Sequence, residues 1–210
     1  MTALLVGALT CALVALLVAE HREAKFVRLA KMLASTGFIG VALASGAVDS
    51  GYGRFVLVAL GLSWLGDLLL TFRASSAFLG GLVSFLLSHI GYGAAFLVRG
   101  VAWEACVAGA VVTGLVAVVV WRWLRSHLER GMYGPVAAYI LVISVMVTLA
   151  AATAAFESGP WILFGALAFY VSDLAVARDR FVSRGFANRV WGLPLYYLAQ
   201  VLLAGSTGPI

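Results

Sequence analysis

The sequence predicts an all-α polytopic membrane protein, a single bundle of eight transmembrane helices spanning residues 1–210. Three observations predict it. Of the 210 residues, 63% are hydrophobic and 11% charged, whereas a soluble domain is about a quarter charged. Mean hydropathy is +1.06, and the apolar residues fall in blocks close to the ~20 residues that a helix needs to cross hydrocarbon. Blocks such as 111–120 and 140–152 lack the apolar–polar alternation of a barrel strand. In lipid a helix pairs its own backbone groups within one segment, which selects helices over strands.

The spans are expected at 2–19, 27–47, 54–72, 77–98, 101–121, 134–155, 158–177 and 187–205. The first lacks the basic n-region of a signal peptide. Glu20-His21-Arg22-Glu23 follows it with no small-residue cleavage motif, so it is read as a span. The second carries Lys31 one turn from its start, and the third carries Asp67. In the fourth, Phe85, His89 and Tyr92 follow i, i+4, i+7 and share a face. The fifth is almost wholly apolar. The sixth offers Tyr139 and Ser144, the seventh Tyr170 and Asp173, and the eighth Tyr196, Tyr197 and Gln200. Gly80, Gly81, Gly91, Gly93, Gly109 and Gly114 are expected to let helices approach closely. The connections are short, and neighbours in sequence are expected to be neighbours in space.

Charge sets the expected orientation. Of the 14 Lys and Arg residues, all but Arg54 and Arg99 lie in or beside the first, third, fifth and seventh loops. By the positive-inside rule those odd-numbered loops are cytoplasmic and both termini lie on the other side of a bacterial-type cytoplasmic membrane. The net charge of +5 therefore reflects topology, and no nucleic-acid partner is expected.

Two carboxylates interrupt the apolar blocks. Asp67 stands six residues before Arg73, about 9 Å inside the cytoplasmic end at ~1.5 Å per residue. Asp173 stands five residues before Arg178, about 7–8 Å deep on the same rise. Both follow an aromatic residue at i−3 (Trp64, Tyr170) and a small residue at i−1 (Gly66, Ser172). A carboxylate at membrane depth is costly and marks a site or a partner. Two of them at matching depth are expected to form a site, sharing a proton so that one is a donor and the other an anion. The structural alternative pairs Asp67 with Lys31, and Asp173 with Arg178 or Arg180. His89 suits a site and a satisfied interior histidine equally well. Lys31 is at the depth of a lipid phosphate, or else snorkels to the interface. No close ligand spacing such as His-x-x-x-His occurs, and Cys11 and Cys106 lie in apolar spans. No metal, cofactor or disulfide is expected.

These residues carry a resemblance to the YhhN family of membrane proteins, which includes the lysoplasmalogenases. It rests on Gly61-Leu62-Ser63 through Gly66-Asp67, and on 78–85 continuing to His89 and Tyr92. Tyr139, Ser144 and Met146, Ser172-Asp173-Leu174 with Arg178, and Tyr197 with Gln200 complete it. Lys31 resembles the family's lysine, although Met32 stands where a proline often follows. The resemblance implies hydrolysis of the vinyl ether bond of a lysoplasmalogen, with Asp67 and Asp173 as the catalytic pair. Lys31, Ser63, His89, Tyr92, Tyr139, Tyr170, Tyr197 and Gln200 are the implied supporting or substrate-binding residues. The implied partner is a membrane lysophospholipid. The competing class is a proton-coupled carrier of a small amphiphile using the same Asp and His groups, since buried acids also make proton relays. No clear inverted repeat or pair of broken helices favours it.

Overall fold

The computed structural model describes residues 2–22, 26–72, 74–157 and 160–208. Among these there are eight α-helices and no strand. They are α1 (Thr2–His21), α2 (Val27–Ala44), α3 (Gly51–Leu70), α4 (Ser75–Arg99), α5 (Trp103–Arg125), α6 (Tyr133–Glu157), α7 (Trp161–Ala177) and α8 (Phe186–Gly205). Six of them, α2 to α7, are long and apolar enough to cross a membrane.

Each expected segment corresponds to a helix, with the ends moved by local chemistry. Helix α2 stops at Ala44, short of the expected 47, because Gly46 turns the chain at φ 84°. Helix α3 begins at Gly51, before the expected 54. Ser50 caps it, its Oγ accepting from the Gly53 N–H at 3.0 Å. Helix α5 runs on to Arg125, past the expected 121. Its last turn carries Arg122 and Arg125, which complement the helix dipole. Beyond α7 the chain makes one π-helical turn, Arg178–Val182, a form often found at functional sites.

Polarity is inverted relative to a soluble protein. Val107, Val111, Val112, Leu115 and Val119 on α5 are exposed, while Ser35, Ser63, Asp67, Ser88, His89 and Gln200 are buried. That distribution fits lipid outside and a polar interior.

Helices α2, α3, α4, α6, α7 and α8 pack in a closed ring, α8 returning to α2. Helix α1 lies against α2 and α8, and α5 lies outside against α6. So α4 packs on α6 more than on its sequence neighbour α5, which corrects the expectation from connection length. The tightest pairing is α3 on α4, and small residues permit it. A Cβ on Gly66 would come within 2.7 Å of the Phe85 ring, and one on Gly91 within 3.1 Å of Ala59. Gly114 does not take part: a Cβ there would meet nothing within 4 Å.

Candidate active site

The ring of helices, with the last turns of α1 and α5, lines a cavity of about 1540 Å³ that is open at one end, and both Asp67 and Asp173 line it. Lys31, Tyr139, Tyr170 and Tyr196 line it as well, beside apolar side chains that include Leu82, Phe85, Val120 and Ile143. Its polar end lies where α2, α4 and α8 start and where α3 and α7 end.

Asp67, from α3, is 2% exposed and is held by donors alone. Lys31 Nζ is 3.1 Å from Oδ1. Ser35 Oγ and Tyr196 OH each donate to Oδ2 at 2.6 Å. Tyr197 OH supports from behind, 3.2 Å from Ser35 Oγ. Lys31 and Ser35 are one turn apart on α2, so a single helix face delivers both. Coordination by an ammonium and two hydroxyls suits a carboxylate anion. The Lys31 partner that the sequence offered as the structural alternative is present.

Asp173, from α7, has a side chain 16% exposed. Its Oδ2 accepts from Tyr139 OH at 2.7 Å and lies 3.0 Å from His89 Nε2. His89 Nε2 is also 3.0 Å from Tyr139 OH, closing a triangle. Among the described residues Oδ1 has no hydrogen-bond partner. Asp173 is not paired with Arg178 or Arg180: the Arg178 guanidinium donates to Asn188 Oδ1.

No hydrogen bond joins the two carboxylates among the described residues. Rings connect their surroundings instead. Tyr196, which donates to Asp67, lies 5.5 Å from the Phe169 ring, and Phe169 lies 4.6 Å from His89. Phe85 stands edge-on to both Tyr196 and Phe169. Each acid therefore has its own donor set, where the sequence reading expected one shared proton.

The remaining sequence candidates separate by position. His89 and Tyr197 touch the acid clusters from behind the cavity wall. Ser63 is fully buried between α3 and α4, 2.7 Å from Ser88 Oγ. Tyr92 donates to Gln200 Oε1 at 2.6 Å. Ser63, Tyr92 and Gln200 are absent from the cavity lining among the described residues. Tyr170 lines the cavity, and its hydroxyl is buried without a hydrogen-bond partner, as are Ser144 Oγ and His89 Nδ1. Sequence reasoning named Tyr196 without choosing it, and it missed Ser35. The i, i+4 spacing of Ser35 from Lys31 was the available signal. Among the described residues no group of three or more His, Cys, Asp or Glu side chains is placed to hold a metal ion.

The chain is 28% identical to the lysoplasmalogenase TMEM86A of Bos taurus over 157 residues, covering 72% of this chain and 64% of that protein. It is 27% identical to the lysoplasmalogenase TMEM86A of Homo sapiens over 157 residues, with the same coverage of 72% and 64%. The match thus spans less than two thirds of each relative's length. No solved structure matches the chain. The family model matches residues 3–207, so this is a membrane protein that belongs to the YhhN family.

Proposed function

We propose that the chain is an intramembrane hydrolase that cleaves the vinyl ether bond of a lysoplasmalogen-type lipid, releasing a fatty aldehyde and a glycerophospho-alcohol. The observation that carries the reading is one cavity lined by two differently equipped aspartates. The name of the TMEM86A relatives supports the substrate class. On this reading residues 1–210 form one eight-helix unit that crosses the membrane eight times. The odd-numbered loops are cytoplasmic and both termini lie outside, as the basic residues suggest.

A vinyl ether, R–CH=CH–O–R′, opens when its β-carbon takes a proton. The adjacent carbon then becomes an oxocarbenium ion, water adds to it, and the hemiacetal collapses to R–CH2–CHO and HO–R′. The enzyme must supply a proton, steady a cation and recover a proton from water. Asp173 is assigned the proton work. Its Oδ1 is unengaged and its Oδ2 is held by Tyr139 and His89, which orient the carboxyl and hold a second titratable site beside it. Asp67 is assigned the fixed negative charge that favours the oxocarbenium, because every partner it has is a donor. Phe85 and Tyr196 add aromatic surface beside the cation, which rings stabilise. Tyr170 adds a further ring to the cavity wall one helical turn before Asp173. This is the division of labour of a two-carboxylate glycosidase, applied to an enol ether.

The test is aldehyde release from a lysoplasmalogen by the purified protein, beside Asp67→Asn and Asp173→Asn. Loss of release in both variants, with the fold kept, supports the assignment. Release unaffected by either change removes it. No release from any vinyl ether, together with proton-driven uptake of the amphiphile into vesicles, would favour the carrier.

A further inference from the structure

The polar mouth of the cavity carries more positive charge than the reaction uses. Lys31 sits at Asp67, Arg189 pairs with Glu20, and Arg178 donates to buried Asn188. Arg28, Arg180 and Arg184 also line the cavity, are exposed, and make no ion pair among the described residues. The acids nearby are otherwise engaged: Glu20 by Arg189, and Asp179 by the Gly185 N–H and Asn188 Nδ2, both at 2.9 Å.

Orientation across a membrane needs charge on one side, but it does not need that charge to be held in place. Here it is held. The Arg28 guanidinium lies 4.4 Å from the centre of the Phe72 ring, and that of Arg180 lies 4.2 Å from the centre of Phe78. Stacking fixes the guanidinium plane and leaves its N–H edge free for an anion. The turn that bears Arg180 and Arg184 is stapled from inside. Asn188, 2% exposed, donates from Nδ2 to Asp179 Oδ1 and to the Ser183 carbonyl at 2.7 Å. A π-helical turn followed by a cross-bonded loop is a built support, and what it presents is two arginines at the mouth of the cavity.

We propose that Arg28, Arg180 and Arg184 form a phosphate subsite at the cavity mouth, which holds the headgroup phosphate of the amphiphile whose chain occupies the cavity. The inference rests on the hydrolase reading and deepens it, by moving the headgroup role from Lys31 to the rim. Guanidinium forks match phosphate oxygens in pairs. Lys31 keeps its charge for Asp67.

Binding tests this apart from turnover. Three probes are compared on the purified full chain: a saturated 1-O-alkyl lysophospholipid, the matching alkylglycerol without phosphate, and glycerophosphate without a tail. The saturated ether has no vinyl bond, so no chemistry intervenes. The wild type is expected to prefer the phosphate-bearing lipid over alkylglycerol. Arg180→Gln with Arg184→Gln is expected to weaken the lysophospholipid about 10- to 100-fold and leave alkylglycerol unchanged, which also shows that the variant is folded. Equal wild-type affinity for the two lipids overturns the subsite, a comparison that needs no variant, and so does equal weakening of both. Glycerophosphate binding as tightly as the lipid would assign the arginines to a free phosphate ester and overturn the lipid assignment. A retained phosphate preference with no aldehyde from the vinyl analogue would leave the subsite standing and remove the hydrolase reading.

Discussion

Replacing Lys31 by Met and Asp67 by Asn, singly and together, separates an aspartate that merely balances a lysine from one that serves a reaction. The Nζ–Oδ1 distance is 3.1 Å, and the side chains are 13% and 2% exposed. At that separation the gross attraction is about 5 kcal/mol for an effective dielectric near 20. Removing one partner of a buried pair costs about 3–5 kcal/mol, because the other charge stays behind. Asn at position 67 keeps one oxygen for Ser35 and Tyr196 but turns an amide donor toward the ammonium. Lys31→Met leaves the carboxylate with two hydroxyls only. Each single change is expected to cost about 3 kcal/mol or more, and the pair together within about 1 kcal/mol of wild type, since a buried pair exchanged for neutral groups is often near neutral. A reversible unfolding titration in mixed micelles measures the coupling, and aldehyde release is followed on the same four proteins. Stability is expected to return in the double variant while activity does not. Two outcomes count against a catalytic Asp67 coupled to Lys31: additive stability losses show that the pair is not coupled, and activity restored with stability shows that Asp67 only neutralises Lys31.

Three further changes probe the surroundings. Tyr139→Phe removes the 2.7 Å donor to Asp173 Oδ2 and should lower kcat about 10-fold or more with little change in substrate binding, read from a KM-against-kcat split. Tyr92→Phe strands Gln200 Oε1 in a fully buried site where Gln200 Nε2 already lacks a partner. It should cost about 1–3 kcal/mol in the same unfolding titration. Gly66→Ala brings a Cβ within 2.7 Å of the Phe85 ring. It should cost about 1–3 kcal/mol from overpacking and disturb the cavity wall beside Asp67, seen as reduced binding of the saturated ether lipid.

Helix positions were legible because apolar blocks interrupted by loop charges leave few alternatives. The ends were less so: the left-handed Gly46 and the Ser50 cap depend on backbone angles that composition does not carry. The acids stood out because a carboxylate in a lipid-length block is rare. Their partners did not. Tyr196 and Tyr197 are adjacent on α8, and adjacent helical residues point about 100° apart. Only the packing of α8 on α2 and α3 decides that Tyr196 reaches Asp67 while Tyr197 reaches Ser35. The matched i−3 aromatics proved unlike: Tyr170 lines the cavity, whereas Trp64 Nε1 donates to exposed Thr36 at 3.2 Å. The stapled turn at 178–185 was invisible because Asn188 acts from the next helix. Counting from the basic helix ends leads to an expectation of one level for both acids, but depth along a helix says nothing of azimuth. The aromatic connection through Phe169 could therefore not be read from the chain.

The most direct measurement is single-turnover aldehyde release from a lysoplasmalogen in D2O, by wild type and by Asp173→Asn at equal occupancy of the cavity. One solvent deuteron is expected on the aldehyde's α-carbon, and a rate about 10²- to 10⁴-fold lower in the variant. A variant that releases aldehyde at the wild-type rate, or a product without that deuteron, would contradict it.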